Sequence, residues 1–245
     1  MEEIQRRVHA AVSKNAEREA TLKKMFKDAG CVNENLEEEH VSHERLPNVV
    51  CRLPGSNDAT VIIGAHFDHV EQGMGVIDNW SGACLLPSLY DGLKRPDAPH
   101  KHTFIFVGFT DEESGLVGSS FYVSHLTRDE SSQVRAMINL DSLGLGPTEV
   151  WVTHSNPGLL RALIELAQEM HLSVGFVNAD RIASEDSVPF AKRKIPTLMI
   201  HSITPDTLPI LHSPQDTFSA LRMNDYYDTY RLLSAYLSFI DGALN

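Results

Sequence analysis

The chain has 245 residues, 42% of them hydrophobic, enough for one sizeable α/β domain with a full core and too few for a second folded domain. Its formal net charge of -12 argues against nucleic acid or an anionic membrane surface as a partner. Lys192, Arg193 and Lys194 form only a short, solvated basic run. Cys31, Cys51 and Cys84 are odd in number and lack CxxC spacing, which predicts buried or idle thiols and neither a disulfide frame nor a metal site.

In chain order, Ile4, Val8, Val12, Leu22, Met25 and Phe26 share a face filled in by alanines, which predicts an N-terminal helix over residues 1–30, ended by Gly30 and packed on the domain as a lid. Residues 36–53 read as two strands joined around residues 40–44, the second carrying Val49 and Val50 into Leu53 before a Pro-Gly turn. Residues 60–64 (TVIIG) are apolar and β-branched, the pattern of a buried strand, with His66 and Asp68 at its end. Side chains two apart on an extended segment point the same way, so Asp68 can accept a hydrogen bond from the second N–H of His66. That is how a metal-binding histidine is usually held. A strand-capping histidine followed by a turn aspartate would leave the same letters.

Residues 81–93 predict a helix beginning just after Asp78, with Pro87 in its first turn or at a kink. Residues 102–110 (HTFIFVGFT) form another buried-strand run that ends in Asp111, Glu112 and Glu113. Three adjacent carboxylates at a buried strand end are costly unless a cation offsets them. Neighbours in a strand face opposite sides, so Glu112 and Glu113 share a site only if the chain bends there, which the following Ser-Gly permits. A solvated acidic turn opening a helix is the competing reading.

Helices are expected over residues 116–126, 157–170 and 223–240, and a third buried strand over residues 136–140 (AMINL), which meets Asp141 and a glycine-rich exit. Three strands thus aim acid or imidazole at one sheet edge, where ligands of open α/β sheets gather. The alternation predicts a three-layer α/β/α architecture, a central mixed, largely parallel sheet covered by helices on both faces. His40, His43, His100, His125, His154 and His171 have no partner motif and read as surface or capping residues.

GAHFDH (64–69), DNWSGA (78–83), FTDEESGLVGS (109–119), NLDSLG (139–144) and HSPQDT (212–217) occur in an order that resembles the co-catalytic zinc aminopeptidases typified by bacterial leucyl aminopeptidase. The resemblance runs from about residue 48 to the C-terminus and implies the zinc exopeptidase fold in a single catalytic domain over residues 1–245. It implies one zinc held by His66 and Asp141, a second by Glu113 and His212, and Asp78 bridging both. Glu112 would be the general base and Asp68 would orient His66. The peptide bond between Asp78 and Asn79 tends to be cis in this family. Nitrogen and carboxylate ligands suit zinc, and paired metals are a recurring hydrolytic device. The expected activity is aminopeptidase hydrolysis of N-terminal residues from a peptide or aminoacyl substrate by a metal-activated water.

Glutaminyl cyclases look like a branch of the same superfamily and are the alternative: a single zinc per chain and formation of N-terminal pyroglutamate. GLVGSSFY after the acid pair and DNWSGA resemble the peptidase branch, and Leu211 stands where cyclases place a tryptophan. The stretch SEDSVPFAKRKIP (184–196) resembles a pocket-lining segment, with Lys194 in place of the usual glycine. Within it, Asp186 reads equally as a substrate or network contact and as a helix N-cap. His69 and Trp80 replace smaller residues and suggest an unusual pocket rim, or simple packing. Residues 72–76 and 204–211 are expected to shape the pocket. Residues 1–29 contain no apolar stretch long enough for a signal peptide or membrane span, so a cytoplasmic location is expected, with secretion after removal of a signal left open because similar proteins are often secreted.

Overall fold

A computed structural model describes residues 1–42, 45–94, 100–178 and 185–244. The three buried runs lie side by side as parallel strands: β3 (Thr60–His66) sits between β4 (Thr103–Phe109) and β5 (Val134–Leu140). On one flank β4 pairs antiparallel with β2 (Asn48–Leu53), which pairs with β1 (Leu36–Glu39). On the other, β5 pairs parallel with β8 (Thr197–His201), followed by β6 (Thr148–Val150) and β7 (Val174–Phe176). The order is β1-β2-β4-β3-β5-β8-β6-β7 in one mixed sheet.

Alternate strand residues feed two cores, as the period of an extended chain requires. Val61, Ile63, Phe104, Phe106 and Ile138 face the larger one, against α2 (Asn15–Asp28), α4 (Leu86–Leu93), α7 (Pro157–Glu169) and α9 (Met223–Ala243). Ile62, Ile105, Val107 and Met137 face the smaller one, closed by Tyr122 and Val123 of α5 (Val117–His125) and Phe190 of α8 (Val188–Lys192). The sheet is therefore covered on both faces, as expected. Among the described residues no helix is long and apolar enough to cross a membrane.

Several elements depart from expectation. The N-terminal helix is two, α1 (Glu2–Val8) and α2, and in the connection between them the Val12 carbonyl accepts the Arg18 Nε–H at 2.7 Å. The helix expected over residues 81–93 divides into α3 (Ser81–Ala83) and α4, since Pro87 has no N–H to carry the ladder across. A short α6 (Arg128–Gln133), opened by a Thr127–Glu130 capping box, was legible in the sequence but not anticipated. His43, Glu44 and Ser184 lie outside the described residues.

The expectation of separate thiols is corrected for two cysteines. Cys31, just beyond α2, and Cys51, within β2, form a disulfide across 20 positions, with Cα atoms 6.2 Å apart. Only Cys84 stays a free, buried thiol. The odd count concealed the pair, because the bond depends on α2 packing over β2.

Candidate metal centre

At the exit of β3, His66 is buried and its Nδ1–H donates to the Asp68 carbonyl at 3.2 Å, with Asp68 Oδ1 at 3.5 Å. This leaves Nε2 facing outward, 3.3 Å from Asp78 Oδ1, 3.7 Å from Asp141 Oδ1 and 4.0 Å from Glu112 Oε2. The Asp68 carboxylate is occupied elsewhere: it accepts the backbone N–H groups of Glu112 and Glu113.

Asp78 stands in a broken helical turn, Val76–Trp80, after Gly75, whose φ of 54° suits a residue without a side chain. The Asp78–Asn79 peptide bond is cis. Asn79 ties this turn to the exit of β5, donating to the Leu140 carbonyl at 2.9 Å and accepting from Ser142 N at 3.2 Å. Asp216, from the HSPQDT segment, accepts from Ile77 N at 2.7 Å and Asp78 N at 3.1 Å.

The bend that lets adjacent acids share a site falls at Asp111, with φ 52°, three residues before the Ser114-Gly115 pair that the sequence suggested. Asp111 turns aside to Arg45, 2.9 Å away, while Glu112 and Glu113 point into the cleft. His212, also at positive φ, brings Nε2 to 3.0 Å from Glu113 Oε2 and 3.1 Å from Asp78 Oδ2.

The donors therefore form two groups that share Asp78: His66, Asp78 and Asp141, and Asp78, Glu113 and His212, with each group's atoms within 4.8 Å of one another. One carboxylate oxygen of Asp78 faces each histidine. Tetrahedral donors about 2.1 Å from a zinc ion lie roughly 3.4 Å apart, so this nitrogen and oxygen set fits zinc. His66, Glu112 and Glu113 form an overlapping third group.

Electrostatics favour the same conclusion. Burial, and then the acids around it, push Glu112 up to about 10, and burial with Asp78 pushes Glu113 to about 7. Burial opposes a charge on His66, yet Glu112, Asp141 and Asp68 raise it well above the usual range. Hydrogen bonding to Asp78 lifts His212 to about 9. So many buried carboxylates ionise together only beside cations.

The cleft over these groups, about 610 Å³, is walled by Leu116, Trp151, Met199, Ile203, Leu208 and Leu211. Residues 72–76 do not line it, contrary to expectation; they pack against Arg18 and Asp216 instead. His69 and Trp80 are likewise not on its rim. Trp80 is fully buried, and His69 donates from Nε2 to the Ser13 carbonyl at 2.8 Å.

Arg18, Asp216, Glu185 and His154 escaped the sequence reading. Burial pulls Arg18 down to about 10 against the field of Asp216, Asp68 and Asp78, so it stays charged at neutral pH. Glu185 lines the cleft and is held by His154 Nδ1 at 2.8 Å and Asn139 Nδ2 at 3.1 Å, so His154 is no surface histidine. His100 does cap, against the Leu93 carbonyl at the end of α4. Asp186 is not a helix cap: α8 is preceded by Ser187, and both buried Asp186 oxygens lack hydrogen-bond partners among the described residues. Of these, Asp216 and Glu185 carried a sequence signal, each inside a segment already noted, HSPQDT and SEDSVPFAKRKIP.

A profile of Peptidase family M28 matches residues 48–237. A probable leucine aminopeptidase of Trichophyton verrucosum is 26% identical over 215 residues, covering 81% of this chain and 58% of that protein. A zinc aminopeptidase from Bacillus subtilis superposes with a TM-score of 0.71 at 24% identity, over 81% of this chain and 50% of that one. A glutaminyl cyclase from an Acidobacteriales bacterium gives 0.75 at 20% identity, over 97% and 92%. At these identities the structural likenesses show the fold. The chain spans 58% of the length of the fungal relative.

Proposed function

Because the chain belongs to peptidase family M28, we propose that it is a zinc-dependent aminopeptidase that releases N-terminal residues from peptides. The observation that carries this reading is the placement of Asp78 between two donor groups, one oxygen toward His66 and the other toward His212. In this reading His66 and Asp141 hold one zinc, Glu113 and His212 the other, and Asp78 bridges. The Bacillus subtilis neighbour is a zinc aminopeptidase. When bound, it would polarise the scissile carbonyl and make water more acidic.

The chain's own residues supply the rest. Glu112 lies at the cleft wall with Oε2 4.0 Å from His66 Nε2, where it takes a proton from the attacking water and returns it to the leaving amine. Asp68 holds the Glu112 and Glu113 backbone in register with β3. The apolar wall of Trp151, Met199 and Leu208 accommodates substrate side chains and excludes water. The Cys31–Cys51 disulfide favours an oxidising compartment over the cytoplasm.

Metal content per chain, measured together with a screen of aminoacyl-amides and N-terminal glutaminyl peptides, tests this. Two zincs with amide hydrolysis, both metals lost in Asp78→Ala, is the expected result. One tight zinc with pyroglutamate formation would overturn it in favour of a cyclase.

A further inference from the structure

The Arg18 side chain is completely buried, and its guanidinium joins three separate stretches of backbone. Nε–H donates to the Val12 carbonyl at 2.7 Å, Nη1 to Phe67 at 3.1 Å, and Nη2 to Met74 at 2.5 Å and Gly75 at 2.9 Å. Phe67 lies between His66 and Asp68, and Gly75 opens the turn that carries Asp78. One rigid fork therefore holds the backbone beside one proposed ligand against the backbone leading to the proposed bridge. A lysine, with donors on a single nitrogen, cannot span the same set.

A second observation points the same way. His69 and Trp80, where this sequence departs from the family it resembles, both meet the N-terminal segment. His69 bonds the Ser13 carbonyl, and its N–H donates to Asn15 Oδ1 at 3.3 Å. Trp80 places its ring 5.6 Å from the Arg18 guanidinium carbon and donates from Nε1 to the Arg7 carbonyl at 3.2 Å. Both departures thus contact the N-terminal segment, and neither they nor residues 12–18 line the cleft.

We propose that residues 12–18 are a strap on the metal centre, in which Arg18 is a positioning residue that sets the spacing between His66 and Asp78. The inference rests on the metal-binding reading above and extends it to residues outside the family match, which begins at residue 48.

The test uses the full chain with Arg18→Lys, and with Asn15→Ala as a second variant that loosens the same strap without disturbing a buried charge. Zinc affinity is measured by competition with a chromophoric chelator, at a temperature where circular dichroism shows each variant folded. The visible spectrum of the cobalt-loaded protein and separate kcat and KM values are read alongside. Arg18→Lys is expected to bind zinc at least ~10-fold more weakly, with a shifted cobalt band and a lower kcat at nearly unchanged KM. Asn15→Ala is expected to move in the same direction by a smaller factor. Wild-type zinc affinity and cobalt spectrum in both variants, with only the melting temperature lowered, would overturn the strap. If Arg18→Lys does not fold, unchanged affinity in Asn15→Ala alone overturns it. Weakened zinc binding in the variants of a protein that releases no amino acid supports the strap while sinking the aminopeptidase reading. A wild-type chain that binds no zinc overturns both.

Discussion

The carboxylate of Asp68 accepts the Glu112 N–H at 3.1 Å and the Glu113 N–H at 3.2 Å, so a residue at the exit of β3 holds the exit of β4. Asp68→Asn turns one acceptor oxygen into a donor facing an N–H, which repels it. The expected result is a kcat lower by roughly 10- to 100-fold, with zinc still bound. An unchanged kcat in a metal-replete variant would show that the two backbone bonds do not matter to turnover.

Glu112→Gln keeps the volume and removes the base. Metal content should stay nearly intact while turnover falls by a factor on the order of 10² or more. Elemental analysis beside a rate assay decides it: full activity would take Glu112 out of the mechanism.

Metal loading should expel protons. Before loading, Glu113 sits at about 7 and His212 at about 9, so near neutral pH part of the donor set is protonated. Zinc competes with those protons, and its affinity should therefore rise with pH, by at least ~10-fold between pH 6 and 8. In the metal-free protein, the stability from charged His212 is full below its unfolded pKa of about 6.5 and is lost as pH rises through about 9. Calorimetry in buffers of different ionisation enthalpy reads the proton release directly. A pH-independent affinity contradicts the proposed ligand set.

The Cys31–Cys51 bond closes a loop over 20 positions, a constraint worth roughly 3 kcal/mol. A Cys31→Ser, Cys51→Ser double variant should melt roughly 6–12 °C lower for a chain of this size. Equal melting of the two proteins, or three free thiols in the native protein, refutes the bond.

Lys194 sits at φ 64°, a conformation that costs a side-chain-bearing residue about 1 kcal/mol or more. The chain keeps a left-handed turn here although lysine stands in place of the usual glycine. Lys194→Gly should relieve that strain and raise the melting temperature by roughly 2 °C, less whatever the extra freedom of the unfolded chain takes back. A lower melting temperature would mean that the Lys194 side chain makes a stabilising contact.

The strands carrying His66, Glu112 and Asp141 were legible because a buried parallel strand writes itself as an unbroken apolar run, and its end is marked by the first polar residues. His66, Glu112, Glu113 and Asp141 stand at or just after such ends, whereas Asp78 and His212 do not and were expected only from the order of the motifs. The strap was not. Arg18 reads as one more charge on a polar helix until the fold lays residues 67, 74 and 75 around it. The disulfide, the His154–Glu185 pair and the burial of Trp80 likewise join positions whose proximity no local pattern encodes. Which strands form and which chemistry they end in follows from periodicity and motif, which act over a few residues. What holds those ends in place emerges with the closed fold, since a hydrogen bond between distant segments exists only once the chain has closed around it.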